Sequence, residues 1–188
     1  MADSLLEILN EVRSQEQCDE HDVRKLITVA GSMRELYRLL LHEPRPENRP
    51  IVIQLLKYET KEHEQHDGLS QHLIICSYLL ARHGYVEDCL LIWEAKIANF
   101  STFLGVNDVL LVSAGIDETI CFLRNNSPKQ RSSYRSLLFL NTPVSKSALS
   151  SAAALEHIEK ALNGGRFVDR EREFEEIKRF CQRSLAIE

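Results

Sequence analysis

Glycine and proline are scarce, seven and five in 188 residues. Most stand where a helix would start or stop, which argues against the turn-rich sandwiches and barrels of all-β proteins. Apolar runs are short as well. Leu73–Ala81, among the longest, reaches about half of the roughly 20 residues that a membrane-spanning helix needs, and it predicts a buried core helix. Met1–Ile8 has no positive residue and carries Asp3 and Glu7, so neither a secretory signal nor a transit peptide is expected. The five cysteines, Cys18, Cys76, Cys89, Cys121 and Cys181, are odd in number with no close pair, which argues against a disulfide framework or a zinc ribbon. Cys76, Cys89, Cys121 and Cys181 sit among apolar neighbours and read as reduced, buried thiols of a cytoplasmic protein.

Catalytic signatures are missing too. There is no glycine-rich phosphate loop, no nucleophile elbow and no zinc-protease motif, and no spacing of Ser, His and Asp singles out a triad. The balance moves toward binding, with no enzymatic activity and no cofactor expected. The single tryptophan, Trp93, lies on an apolar stripe and reads as core rather than as an interface anchor.

What the chain does have is apolar spacing of three and four. Val86, Cys89, Leu90, Trp93, Ile97 and Phe100 define one helix face, with Glu87, Asp88, Glu94 and Lys96 largely off it. Similar stripes predict helices over Ser4–Ser14, from Asp22 as cap through Leu41 to an end at Pro44, from Asn48 or Arg49 to Glu64, and over Leu69–His83 closed by Gly84. The chain turns at Ser101–Gly105. Further segments follow at Asp108–Ser113 and at Asp117–Leu123 after Gly115, then from a capping box at Ser127, Pro128 and Gln130 that buries Tyr134, Leu137, Leu138 and Phe139. Thr142 and Pro143 start the next element, which is weakly amphipathic over Ser145–Ala154, so a looser connection is expected around 140–150. Gly164 and Gly165 end it, and Asp169 caps a last helix with Phe174, Ile177, Cys181 and Leu185 inward and a Glu175–Arg179 pair outward. The fold class is all-α, a single domain over 1–188 of roughly eight or nine helices, built as an irregular α-solenoid or a compact multi-helix bundle.

Charge is uneven. The net charge of -5 argues against a nucleic-acid binder held by its overall field. Asp3, Glu7, Glu11, Glu16, Asp19, Glu20 and Asp22 crowd the first turns against Arg13 alone, whereas Arg124, Lys129, Arg131, Arg135 and Lys146 form a stretch without an acid. The plain reading is solvated faces or mutual pairing. The sharper one makes Arg124, Lys129, Arg131 and Arg135 a docking patch. Tyr134 and Phe139 fall at helical spacing with Leu137 and Leu138, so they read as core and not as base-stacking residues.

One cluster has ligand-type side chains: Glu59, Glu62, His63, Glu64, His66 and Asp67, then His72. On a continuous helix Glu59 and His63 are one turn apart, as are Glu62 and His66. The plain reading is a hydrophilic helix end whose side chains are solvated, with no second cluster spaced to complete a metal site. The adjacent His66 and Asp67 resemble the dipeptide of the helical HD-type metal phosphohydrolases, which implies the alternative of a metal-dependent hydrolase using His63, His66 and Asp67.

From Ile92 to Leu123 the text resembles a group of small bacterial helical-repeat proteins, some of them immunity proteins for secreted toxins. The residues that carry this are Ile92-Trp93-Glu94-Ala95-Lys96, Asn99-Phe100-Ser101-Thr102, Gly105, Leu110-Leu111, Ala114-Gly115 and Asp117-Glu118-Thr119. The resemblance implies a helical fold and a protein partner, a toxin or effector whose active site is covered stoichiometrically. Contact is then expected from Asp3, Glu7, Glu11, Glu16, Asp19 and Glu20, since carboxylates suit a basic target and speed the encounter.

Overall fold

The computed structural model describes residues 2–15, 18–126 and 146–186, and among the described residues the chain is helical with no strand. The elements are α1 (Ala2–Arg13), α2 (Glu20–Ala30), α3 (Met33–His42), α4 (Arg49–Gln65), α5 (Gln71–Ala81), α6 (Asp88–Lys96), α7 (Phe100–Gly105), α8 (Ile116–Asn126), α9 (Lys146–Asn163) and α10 (Arg170–Ala186). Single 3-10 turns stand at Pro46–Asn48 and Asp108–Leu110. None of the described helices is long and apolar enough to cross a membrane.

Local chemistry sets the boundaries. Asp19 caps α2: its Oδ1 accepts the Asp22 N–H at 3.0 Å while Asp22 Oδ2 accepts the Asp19 N–H at 3.1 Å. Asp22, expected as the cap, is therefore the third residue of a reciprocal box. The expected single helix from Asp22 to Pro44 is two. Gly31 takes a left-handed φ of 68°, and Ser32 Oγ accepts the Glu35 N–H at 3.2 Å to start α3. Periodicity runs through this corner because α3 folds back against α2 and buries its stripe in the same core. The expected start at Asp117 falls at Ile116 instead, one residue after Gly115 with φ 126°.

Helix α5 is the axis of the molecule. Leu73, Ile75, Cys76, Tyr78, Leu79, Leu80 and Ala81 are all buried, and α5 packs on α3, α4, α6 and α10. Each such aliphatic side chain contributes about 1.5–3 kcal/mol by leaving water. Helix α10 returns onto α3 and α5, whereas helices of an open solenoid touch only their neighbours. The all-α fold is thus a multi-helix bundle closed around one hydrophobic core.

Two further expectations change. Cys18, Cys76, Cys89 and Cys181 are free and buried, but Cys121 is exposed because α8 turns Thr119, Ile120 and Leu123 inward instead. Burial pushes the Cys18, Cys89 and Cys181 thiols up to about 12. Glu175 pairs with Lys178 at 3.0 Å, not with Arg179 as expected. The serine-rich start of α9 is helical from Lys146. The start at Ser127, Pro128 and Gln130, the burial of Tyr134, Leu137, Leu138 and Phe139, and the start at Thr142 and Pro143 lie outside the described residues.

Candidate functional site

The site begins where α6 ends. Cys89, Ile92, Trp93 and Lys96 share its inner face, and Lys96 is only 3% exposed. Ile97 and Phe100, expected inward, are exposed because the helix stops at Lys96 and the chain changes direction there. Asp88, expected on the outer face, is buried too, held bidentately by Arg49 at 2.7 and 3.0 Å.

The next residues form α7, where a simple turn was expected. Its ends are gripped by side chains from outside it. Asn99 caps the N-terminus: its Oδ1 accepts the Thr102 N–H at 2.9 Å, and its own N–H donates to Thr102 Oγ1 at 2.9 Å. The Asn99 amide nitrogen also donates to the carbonyls of His63, His66 and Gly68 at 3.0, 3.1 and 3.0 Å. One side chain therefore joins the start of α7 to the end of α4. At the other end, Lys96 Nζ donates to the carbonyls of Phe103 and Val106 at 2.6 Å each.

The third partner of Lys96 is Asp108 Oδ1 at 3.1 Å. Asp108 is 7% exposed, and it also accepts from His157 Nε2 at 2.8 Å and from an Arg166 guanidinium nitrogen at 2.8 Å. Burial pushes the Asp108 carboxyl up, but the His157 hydrogen bond, the Lys96 charge and the Arg166 hydrogen bond outweigh it and hold the group well below the usual carboxylate range. Lys96 is shifted down by burial, with Asp108 opposing that shift. Three acceptors use all three N–H groups of an ammonium, so Lys96 is a charged fastener and not an amine nucleophile.

Above this cluster lies a cleft of about 580 Å³ bordered by Phe103, Leu104, Gly105, His157, Arg166 and Glu173. His157 stands between two aromatic rings, 5.0 Å from Trp93 and 5.6 Å from Phe103. Around the cleft, α7 turns its apolar residues outward: Phe100 is 77% and Leu104 is 68% exposed, with Ile97, Phe103 and Leu69 also in solvent. A Cβ at position 105 would overlap the tip of the Leu69 side chain, so a larger residue there would displace Leu69. A second groove of about 290 Å³, with Ile74, Ile177 and Phe180, continues past Gly105 and Asn107.

The residues singled out in the sequence have other duties. Glu11 pairs with Lys25 at 3.0 Å, Glu20 with Arg24 at 2.6 Å, and Asp19 is a helix cap. Glu7 is exposed on α1; Glu16 and the side chain of Asp3 lie outside the described residues. Arg124 pairs with Glu159 across α8 and α9 at 2.8 Å, while Lys129, Arg131 and Arg135 lie outside the described residues.

The histidine cluster is a joint between α4 and α5. His63 Nδ1 donates to the Glu59 carbonyl at 2.6 Å and its Nε2 accepts the Ser70 N–H at 3.0 Å, so both ring nitrogens face backbone. Glu59 is buried under Tyr37 Oη at 3.1 Å and Ser70 Oγ at 3.3 Å. His66 Nδ1 donates to the Glu62 carbonyl at 3.0 Å, and Asp67 is exposed. Among the described residues no three His, Cys, Asp or Glu side chains gather as metal ligands.

Lys96, Asn99, Asp108, His157 and Arg166 carry the site and were not singled out by spacing. Two of them left a signal. Lys96 falls at the inward positions of Cys89, Ile92 and Trp93, and Asn99-x-x-Thr102 is a capping pattern. The convergence of His157 and Arg166 on Asp108 has no local trace. The chain matches no family model, no curated protein and no solved structure.

Proposed function

We propose that the protein is a non-enzymatic helical interaction module that docks a protein partner over α7. The observation that carries this is the exposure of Phe100 and Leu104 on a short helix fixed at both ends by Asn99 and Lys96. Single exposed apolar residues are ordinary, but a contiguous group on a rigid support marks an interaction surface. The partner it fits presents apolar side chains with a carboxylate beside them. Arg166 stands at the edge of the cleft with an exposed side chain and Asp108 on one nitrogen, and its planar fork suits a second carboxylate.

A bacterial immunity protein that occludes a cognate toxin is the narrowest form of this reading. Its support is that the stretch resembling such proteins, Ile92–Leu123, contains Lys96, Asn99, the whole of α7 and Asp108. Because Glu11, Asp19 and Glu20 already have partners within the chain on its surface, α7 takes precedence over the acidic N-terminal residues as the contact face.

The test is capture from the native host's lysate with the tagged chain, against a Phe100→Asp/Leu104→Asp variant and a Glu7→Lys control. A protein recovered near one-to-one by the wild type and the control, and lost by the α7 variant, supports the module. Equal recovery by all three chains moves the contact elsewhere. A wild type that self-associates in light scattering, with the α7 variant monomeric, replaces the foreign partner by a second copy of the chain.

A further inference from the structure

A separate cleft lies between the α3–α4 connection and the C-terminal end of α5, and we propose that it binds a small organic anion, a carboxylate or phosphate monoester on a compact apolar body. Its volume is about 280 Å³; Leu40, Val52 and Leu79 supply apolar walls, and Arg45, Arg82 and His83 supply cationic or hydrogen-bonding groups. No carboxylate lines it. By contrast, Asp108 and Glu173 line the α7 cleft and Glu35 lines the cleft beside α10. In a chain of net charge -5, a cleft bordered by two arginines and no acid selects against the average surface and for an anion.

The acid paired with Arg45 does not neutralise it. Glu43 is divided between Arg13 and Arg45, each at 3.4 Å, and neither contact is the short bidentate pairing that arginine forms when fully engaged. Arg82 gives one bond, at 3.1 Å, to the Leu41 carbonyl at the end of α3, out of the five N–H groups a guanidinium carries. The crowding of cations is felt by their neighbours. Arg13 is shifted down by burial and then by the Arg45 charge. His83 is shifted down by burial first; the Asp88 charge opposes this, and Arg49 and Arg82 add smaller downward shifts. An anion in the cleft would relieve this repulsion.

The walls are also preorganised, which lowers the cost of binding. Pro44 and Pro46 restrict the connection, and Asn48 pins it by donating to the Glu43 carbonyl at 2.6 Å while accepting from Arg13 Nε at 2.7 Å. The volume is about twice the roughly 150 Å³ that holds a benzene ring, so one ring and its acidic group fit. For some ten non-hydrogen atoms, an affinity near the millimolar range follows.

Calorimetric titration of the full chain with benzoate, phenyl phosphate, benzamide and inorganic phosphate tests this. Benzoate or phenyl phosphate is expected to saturate one site, and the tighter of the two identifies the acidic group. Benzamide, which lacks the charge, and inorganic phosphate, which lacks the apolar body, are expected to bind at least about fivefold more weakly. Arg45→Gln, at an exposed position, is expected to keep the melting temperature and weaken binding by about fivefold or more. Arg82→Gln serves as a second variant, read only after its fold is checked, because Arg82 also holds the end of α3. Leu104→Asp is expected to bind the anion unchanged, which separates this cleft from the α7 surface. Absence of saturation by both acids up to roughly 50 mM, well above the affinity expected for ligands of this size, overturns the proposal. So does equal binding of benzamide or inorganic phosphate, or an unchanged affinity in Arg45→Gln.

Discussion

Helices α5 and α7 are built on opposite plans. In α5 nearly every side chain from Leu73 to Ala81 is buried, and the helix is held by the apolar area it removes from water. In α7 the inward residue is Thr102, while Phe100 and Leu104 face solvent. Six residues are too few for a helix to persist alone, so α7 depends on Asn99 at one end and Lys96 at the other. A helix fixed by its ends leaves its sides free. The bundle thus keeps an apolar surface in place without burying it, and that separation of support from contact is what the proposed docking requires.

The largest effect that would break this comparison is expected at Asp108. Asp108→Asn leaves the Lys96 ammonium buried beside a neutral amide, and loss of one partner of a buried pair costs about 3–5 kcal/mol. The clamp on α7 loosens with it. The same carboxylate fixes a pH dependence. Its native pKa is depressed, so its contribution is present above the ordinary aspartate range near pH 4 and is lost as pH falls below it toward the native value. Urea unfolding between pH 7 and pH 3 should show the wild type losing stability more steeply than Asp108→Asn; parallel profiles would remove Asp108 from that role.

On the α5 side, Leu80 is fully buried, and Leu80→Ala is expected to cost about 3 kcal/mol by transfer and cavity terms. Urea midpoints measure it. A cost below about 1 kcal/mol would mean that the axis of the bundle is loosely packed.

The two helices were unequally legible in the sequence. The apolar run Leu73–Ala81 identified α5 and its burial, because burial on most sides leaves a local trace in composition; the expected bounds Leu69–His83 overran the helix, which Ser70 caps and which ends at Ala81. Helix α7 left a weaker one. Spacing assigned Ile97 and Phe100 to the core by extending the Trp93 stripe past the end of α6, and it left Lys96 and Asp88 largely off that face. Both polar residues are buried because their partners, Asp108 for Lys96 and Arg49 for Asp88, come from other parts of the chain. Periodicity reports which face an average residue prefers; it does not report a charge answered by a distant one. The histidine cluster around His63 shows the same limit from the other side. Its spacing suggested ligands, but the backbone of Ser70 and Glu59 occupies the ring.

Asn99→Ala sharpens the comparison at a smaller scale. It removes a cap and the donor to three carbonyls at the end of α4, with an expected cost of about 1–2 kcal/mol. Hydrogen exchange locates the effect: the α7 amides should exchange faster while those of α5 keep their protection. Uniform loss of protection in both helices would show that α7 is part of the cooperative core and not a separately clamped element.

The smallest effect on stability is expected where the effect on binding is greatest. Leu104→Ser exchanges a side chain that is 68% exposed, so little apolar area returns to water on unfolding and the change should stay within about 0.5 kcal/mol. In α5, by contrast, replacing Leu80 removes a methyl-rich group from a closed shell. If the outward residues of α7 serve a partner, Leu104→Ser leaves the urea midpoint where it was and weakens one-to-one capture, and Phe100→Ser does the same. A substantial drop in stability from either would place these side chains in the protein's own packing, and the surface they form would then belong to the fold instead of to a partner.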